Sequence, residues 1–244
     1  MNHRTSWSLA GELVATGIAI LAAGVGGAGL FALSATERWS FRDLLLHIGI
    51  PATIVLLLVL AAATVLRWRR LARGIVAGAA AGAAATLGLE AVRITGFRVF
   101  HTMPGDLPTL MGVKATDRIM VGPDTASRMI GYLDHYWNGA LLGIVFALVV
   151  GGFPVRRGWI APLLGMAYGL ATGYGFLTGP VPRSLGVGGV FSTVDVGEFR
   201  FTVYLAHAVF GLLVGLLVHR FAAKFPPLWT FVWELLGPTP AERR

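Results

Sequence analysis

The chain has 244 residues, 55% of them hydrophobic and only 13% charged, with a mean hydropathy of +0.71. Soluble domains carry about 25% charged residues, so this composition excludes an ordinary soluble enzyme. Lys and Arg outnumber Asp and Glu by 20 to 12, but the apolar runs are too long for a disordered or nucleic-acid-binding chain, and the absence of cysteine excludes disulfide frameworks, zinc–thiolate and iron–sulfur sites and thiol nucleophiles.

What remains is an all-α, polytopic membrane protein. Six segments reach the roughly 20 apolar residues that a bilayer core requires: 9–33, 44–66, 72–92, 132–153, 159–178 and 201–221. Trp7, Trp39, Trp68, Trp137, Trp159, Trp229 and Trp233 all lie near a span end or outside the spans, as expected of a ring that seats at headgroup level. The first span is longer than a usual signal-peptide core and rich in glycine, which favours an uncleaved helix over cleavage near Ser34. Spans three and four are joined by the longest loop, 93–131, within which Asp124 is the expected N-cap of a helix running into span four. After span six, Pro226-Pro227 breaks the helix, and 228–236 reads as a short interfacial helix. The chain thus divides into two peripheral helices (1–71), a first hairpin (72–158), a second hairpin (159–224) and an interfacial tail (225–244).

Charge gives the orientation. With six spans, eleven basic residues fall on one side: Arg4, Arg67, Arg69, Arg70, Arg73, Arg156, Arg157, Arg220, Lys224, Arg243 and Arg244. Only Glu12, Glu234 and Glu242 accompany them, whereas the other side holds nine basic and nine acidic residues. By the positive-inside rule the basic side is cytoplasmic, with both termini on it.

Two outer loops align without gaps. Residues 105–113 (GDLPTLMGV) match 179–187 (GPVPRSLGV). Each follows a helix with glycines four residues apart: Gly74, Gly78 and Gly82 in span three, Gly165, Gly169 and Gly173 in span five. Each precedes a helix with a His-xxx-Gly-xxx-Gly signature: His135, Gly139 and Gly143 in span four, His207, Gly211 and Gly215 in span six. Spans three to six are therefore expected to be two duplicated hairpins about a pseudo-two-fold axis along the membrane normal. Small residues every four positions let helix backbones approach closely, and the same faces, together with helices one and two, are surfaces for membrane-protein partners.

Ionisable residues inside a span are costly and usually functional. Here they sit toward the outer side: Glu90, Asp134, His135 and His207, with Asn138, Tyr204, His47, Arg93, His101 and Tyr174 at similar depth. A polar pocket open to that side satisfies them together. Two imidazoles and a carboxylate make a reasonable ligand set for a transition metal, so His135, His207 and Glu90 are candidate ligands, with Asp134 and His101 as supporting ones. Haem b held between His135 and His207 is a variant, the glycines leaving room for the macrocycle. Alternatively Glu90 pairs with Arg93 at i+3 and the histidines are interhelical hydrogen-bond groups. His47, four residues before Pro51, marks a kink.

The glycine helices, the Leu107-Pro108 loop and the His-xxx-Gly-xxx-Gly helices resemble the YagU-like group of bacterial inner-membrane proteins over about residues 72–220. That resemblance implies a bacterial plasma membrane and no particular reaction. The functional expectation is a protein that binds a metal or haem in an outer-leaflet pocket, for redox chemistry or metal handling within a larger assembly such as a respiratory complex. A non-catalytic assembly subunit and a small transporter are the rival readings.

Overall fold

The structure, a computed structural model, describes residues 6–151, 158–190, 192–222, 228–229 and 232–233. Helices α1 (Ser6–Val25) and α2 (Gly29–Ser34) are followed by α3 (Phe41–Leu44), a π-helical turn (Leu45–Gly49) and α4 (Ile50–Val65). Then come α5 (Arg69–Arg98), α6 (Leu107–Ala115), α7 (Thr125–Val149), α8 (Ile160–Thr178), α9 (Val181–Ser184) and α10 (Val196–Ala222). No strand occurs among the described residues. Of the expected interfacial helix over 228–236, residues 228–229 and 232–233 are helical; its other residues and the rest of the tail, with Arg156 and Arg157, lie outside the described residues.

Five helical stretches are long and apolar enough to cross a membrane: Ser8–Val25, Phe41–Val65, Arg69–Arg98, Ile160–Thr178 and Val196–Phe221. The expected fourth span, carried by α7, is not among them. At 25 residues α7 is long enough, but its middle strings together Asp134, His135, Tyr136, Trp137 and Asn138. Its apolar residues, including Leu141, Ile144, Phe146 and Leu148, are buried inside the bundle.

Glycine decides which helices meet most closely. The most extensive interfaces are α8 with α10 and α5 with α7, followed by α5 with α10. In the α5–α7 seam a Cβ on Gly78 would sit 2.7 Å from the carbonyl oxygen of Gly143, and one on Gly82 would fall on that of Gly139. In the α8–α10 seam a Cβ on Gly165 would fall on the carbonyl of Gly211, and one on Gly169 on that of His207. No side chain fits at these crossings, so the backbones touch directly. The seams are offset from the expected register by one turn. Gly82 opposes Gly139, but Gly173 opposes the Cβ of His207 at 3.0 Å, so the position of Gly173 is taken in α5 by Thr86.

A two-fold axis relating the hairpins would pair the broad α5–α10 interface with an equal one between α7 and α8. No such interface forms among the described residues. Contact there is slight and rests on Tyr168, whose hydroxyl donates to the Leu142 carbonyl at 3.1 Å and whose ring lies 5.5 Å from that of Phe146.

The two aligned loops do share local structure. Each opens a short helix, α6 or α9, with proline near its start, where the missing N–H costs nothing. The loop after α5 is more structured than its turn residues suggest. Helix α6 folds back onto α7 so closely that a Cβ on Gly112 would fall on the Ser127 carbonyl. Asp124 caps α7 as expected, accepting from the Ser127 amide at 2.8 Å. Ser127 answers by accepting from the Asp124 amide at 2.9 Å, and this reciprocal pairing satisfies two end groups at once.

At the opposite end the sequence placed Glu12 and Arg70 among the edge charges that set topology. The structure corrects this, because Glu12 and Thr16 are fully buried and Arg70 nearly so. The Leu71 amide donates to Glu12 Oε1 at 3.3 Å, setting a carboxylate against the positive start of α5. Arg70 donates to Thr16 Oγ1 at 3.4 Å and to the Leu148 carbonyl, in the last turn of α7, at 2.9 Å. These bonds tie α1 to the α5–α7 pair.

Candidate functional site

Where α7 and α8 fail to close on one another, a cavity of about 360 Å³ opens. Its walls come from α5 (Thr86, Leu89, Arg93), α7 (His135, Asn138, Leu142), α8 (Thr172, Phe176) and α10 (Thr202, Ala206, His207, Phe210). Phe31 of α2, Met111 of α6 and Val181 of α9 complete the lining. The lining is mostly aliphatic and aromatic, with polar groups at a few points.

The densest polar cluster adjoins the cavity at the C-terminal part of α5. Glu90 and Arg93 are one helical turn apart and both buried. Arg93 donates through Nε to Glu90 Oε1 at 2.6 Å and through Nη2 to Oε2 at 2.7 Å. This is the bidentate fork that suits a guanidinium and a carboxylate. The same Nη2 lies 2.8 Å from Asp106 Oδ1 in the loop before α6. Asp106 is in turn held by the Thr109 hydroxyl at 2.5 Å and the Tyr132 hydroxyl at 3.3 Å. His135 Nε2 comes within 3.0 Å of Glu90 Oε1, although off the line of a good hydrogen bond. Arg93 Nη1 is buried and has no hydrogen-bond partner among the described residues. A buried guanidinium donor left unpaired is costly.

His207 stands differently. Its Nδ1 lies 2.8 Å from the Val203 carbonyl oxygen. Only an N–H can serve that contact, so the neutral ring carries its proton on Nδ1 and presents Nε2 as a bare acceptor. Phe176 flanks the ring at 6.0 Å between centroids.

Of the residues singled out from sequence, His135, His207, Arg93 and Asn138 come together on this cavity, and Glu90 lies directly behind Arg93 and His135. The others do not join them. Asp134 is occupied by Asn138 Nδ2 at 3.1 Å. His101 is exposed and holds a left-handed backbone (φ 55°) where the chain leaves α5. Tyr174 is 60% exposed, and Tyr204 does not line the cavity. His47 is also exposed, contacting the Asp43 carbonyl at 2.9 Å within the π-helical turn. That turn, rather than a simple kink, takes up the disturbance ahead of Pro51. Sequence reasoning missed Asp106, Tyr132 and the lining residues from α2, α6 and α9. Asp106 stands in the sequence only as a member of the aligned loop 105–113, with nothing to indicate its partner.

Among the described residues no group of three or more His, Asp or Glu side chains is arranged to hold a metal ion. Both Glu90 oxygens are engaged by Arg93, which competes directly with ligation.

A second, more open groove of about 740 Å³ runs between the C-terminal end of α5 and the N-terminal end of α10. Thr202 lines both spaces, and a 2.7 Å hydrogen bond between the Thr102 and Thr202 hydroxyls lies at the boundary. Gly96 makes that contact possible, since a Cβ there would meet Thr202 Cγ2 at 2.6 Å.

The helices and the buried ionic cluster are those of a multi-pass membrane protein with an internal cavity. Comparison of the chain with protein-family models, with curated proteins and with solved structures yields no match.

Proposed function

We propose that this chain binds a small amphipathic molecule in the cavity between α7 and α8. The observation that carries the reading is a largely apolar space with a few polar wall groups, Arg93, His135 and His207, of which His207 keeps Nε2 as an acceptor while its Nδ1–H is taken by the Val203 carbonyl. Ligand sites have this composition, with apolar walls for affinity and a few polar groups for orientation. The adjoining α5–α10 groove offers a path from the surrounding lipid. In this reading α7 is a sixth crossing shielded by its neighbours, the hairpins are a diverged repeat, and the protein sits in a bacterial plasma membrane with both termini cytoplasmic.

Native mass spectrometry of the gently extracted full chain tests this. A co-purifying small lipid is expected, and Ala206→Trp, which fills the cavity from a buried position on its wall, is expected to abolish it. Loss of the adduct from neither protein, or its absence from both, would refute the proposal.

A second reading keeps haem. A histidine whose Nδ1–H is fixed by a carbonyl while Nε2 stays free is oriented as axial ligands commonly are, and His207 meets that description. A Soret band in the purified protein that disappears in His207→Ala would establish it.

A further inference from the structure

We propose that the ligand's head is uncharged and carries a hydroxyl, as in a long-chain alcohol or a hydroquinone. The inference rests on the cavity being a binding site and concerns only which chemistry it selects.

Two observations converge. The first is charge. Arg93 already serves two carboxylates, Glu90 and Asp106, so its positive charge is fully spoken for. A fatty-acid or phosphate head would add a further negative charge beside both acids, and like charges brought together away from water repel strongly. A neutral oxygen meets no such penalty. The second is His207, a residue of the cavity wall whose Nδ1–H is taken by the Val203 carbonyl, so that Nε2 is an acceptor calling for a donor on the ligand. A hydroxyl supplies that proton without charge. The aromatic rings of Phe31, Phe176 and Phe210 around the cavity suit an aliphatic or flat body attached to that head.

The test uses the full chain in detergent and four probes: dodecan-1-ol, its methyl ether, decylhydroquinone and dodecanoate at pH 8. Binding is read by native mass spectrometry and by the shift in Tm. Dodecanol or decylhydroquinone is expected to bind at least tenfold more tightly than dodecanoate, and the comparison between them separates an aliphatic from a quinol source. The methyl ether, which accepts but cannot donate, is expected to bind about tenfold more weakly than dodecanol. His207→Phe should remove that difference by weakening dodecanol alone. Dodecanoate binding as tightly as dodecanol, or an ether equal to the alcohol, would overturn the head-group assignment while leaving the cavity a binding site. If no probe binds and Ala206→Trp changes nothing, the cavity reading itself fails.

Discussion

The α5–α7 and α8–α10 hairpins are built alike and equipped differently. Each is closed by glycines on both helices, and in each the incoming helix starts at an aspartate that caps it, Asp124 before α7 and Asp195 before α10. Beyond the glycine seam they part. Helix α5 continues into Glu90 and Arg93, whereas α8 continues into Phe176 and Leu177 and stops at Gly179. His135 therefore faces a carboxylate and His207 turns to its own backbone. The two hairpins share their backbone packing and not their side-chain chemistry, and the cavity lies where the resemblance between them ends.

The largest effect should come from the shared feature. Gly82→Leu and Gly211→Leu each drive a side chain onto an opposing carbonyl, so loss of monodisperse protein is expected by size-exclusion chromatography in both hairpins equally. Gly17→Ala and Gly24→Ala, where an added Cβ meets nothing within 4 Å, should leave yield and Tm unchanged. If only one hairpin is sensitive, the seams are not equivalent.

The unshared feature should separate the hairpins. Glu90→Leu takes the bidentate partner from Arg93 and leaves it the partly exposed Asp106 alone, and breaking a buried ion pair from one side costs about 3–5 kcal/mol. His207→Phe gives up one hydrogen bond to a carbonyl, worth about 1 kcal/mol within a membrane. Denaturant titration of the two variants should show that asymmetry, and equal losses would contradict it.

The smallest effect concerns the start of α7. The Ser127 amide and hydroxyl, with Arg118 nearby at 3.3 Å, hold the Asp124 carboxyl below the usual aspartate range. A depressed pKa in the folded state means the cap stabilises above the ordinary aspartate pKa and is lost as pH falls through the lowered value. Hydrogen exchange of the amides at 125–128, corrected for intrinsic rates, should show fraying on acidification in the parent chain. In Asp124→Asn the same amides should lack that pH response.

Much of this was legible in the sequence. Helix positions followed from hydropathy, the seams from four-residue glycine spacing, and the α7 cap from an aspartate ahead of the helix. The Glu90–Arg93 pair was legible too, because i and i+3 meet on any helix. What escaped depended on contacts distant along the chain. Asp106 reaches Arg93 only because α6 folds back, and Glu12 meets α5 only once α1 is docked. The missing α7–α8 interface, and hence the cavity, follows from how whole helices stack, which local periodicity does not encode. His47, His101 and Tyr174 share a depth with the cluster but point elsewhere, since depth along a helix says nothing of azimuth until neighbours are known.

Helix α5 spans 30 residues, about 45 Å at 1.5 Å per residue, against a hydrocarbon layer of about 30 Å. Tilting alone at the usual ~20° shortens it by only a few ångströms, so one or both of its ends must stand proud of the oil. Glu90 and Arg93 lie near the upper of those ends, and how deeply they are submerged then varies with the bilayer around them. A thick, ordered membrane would drown this cluster and a thin one would wet it, which makes lipid composition a setting for the strength of the site's electrostatics.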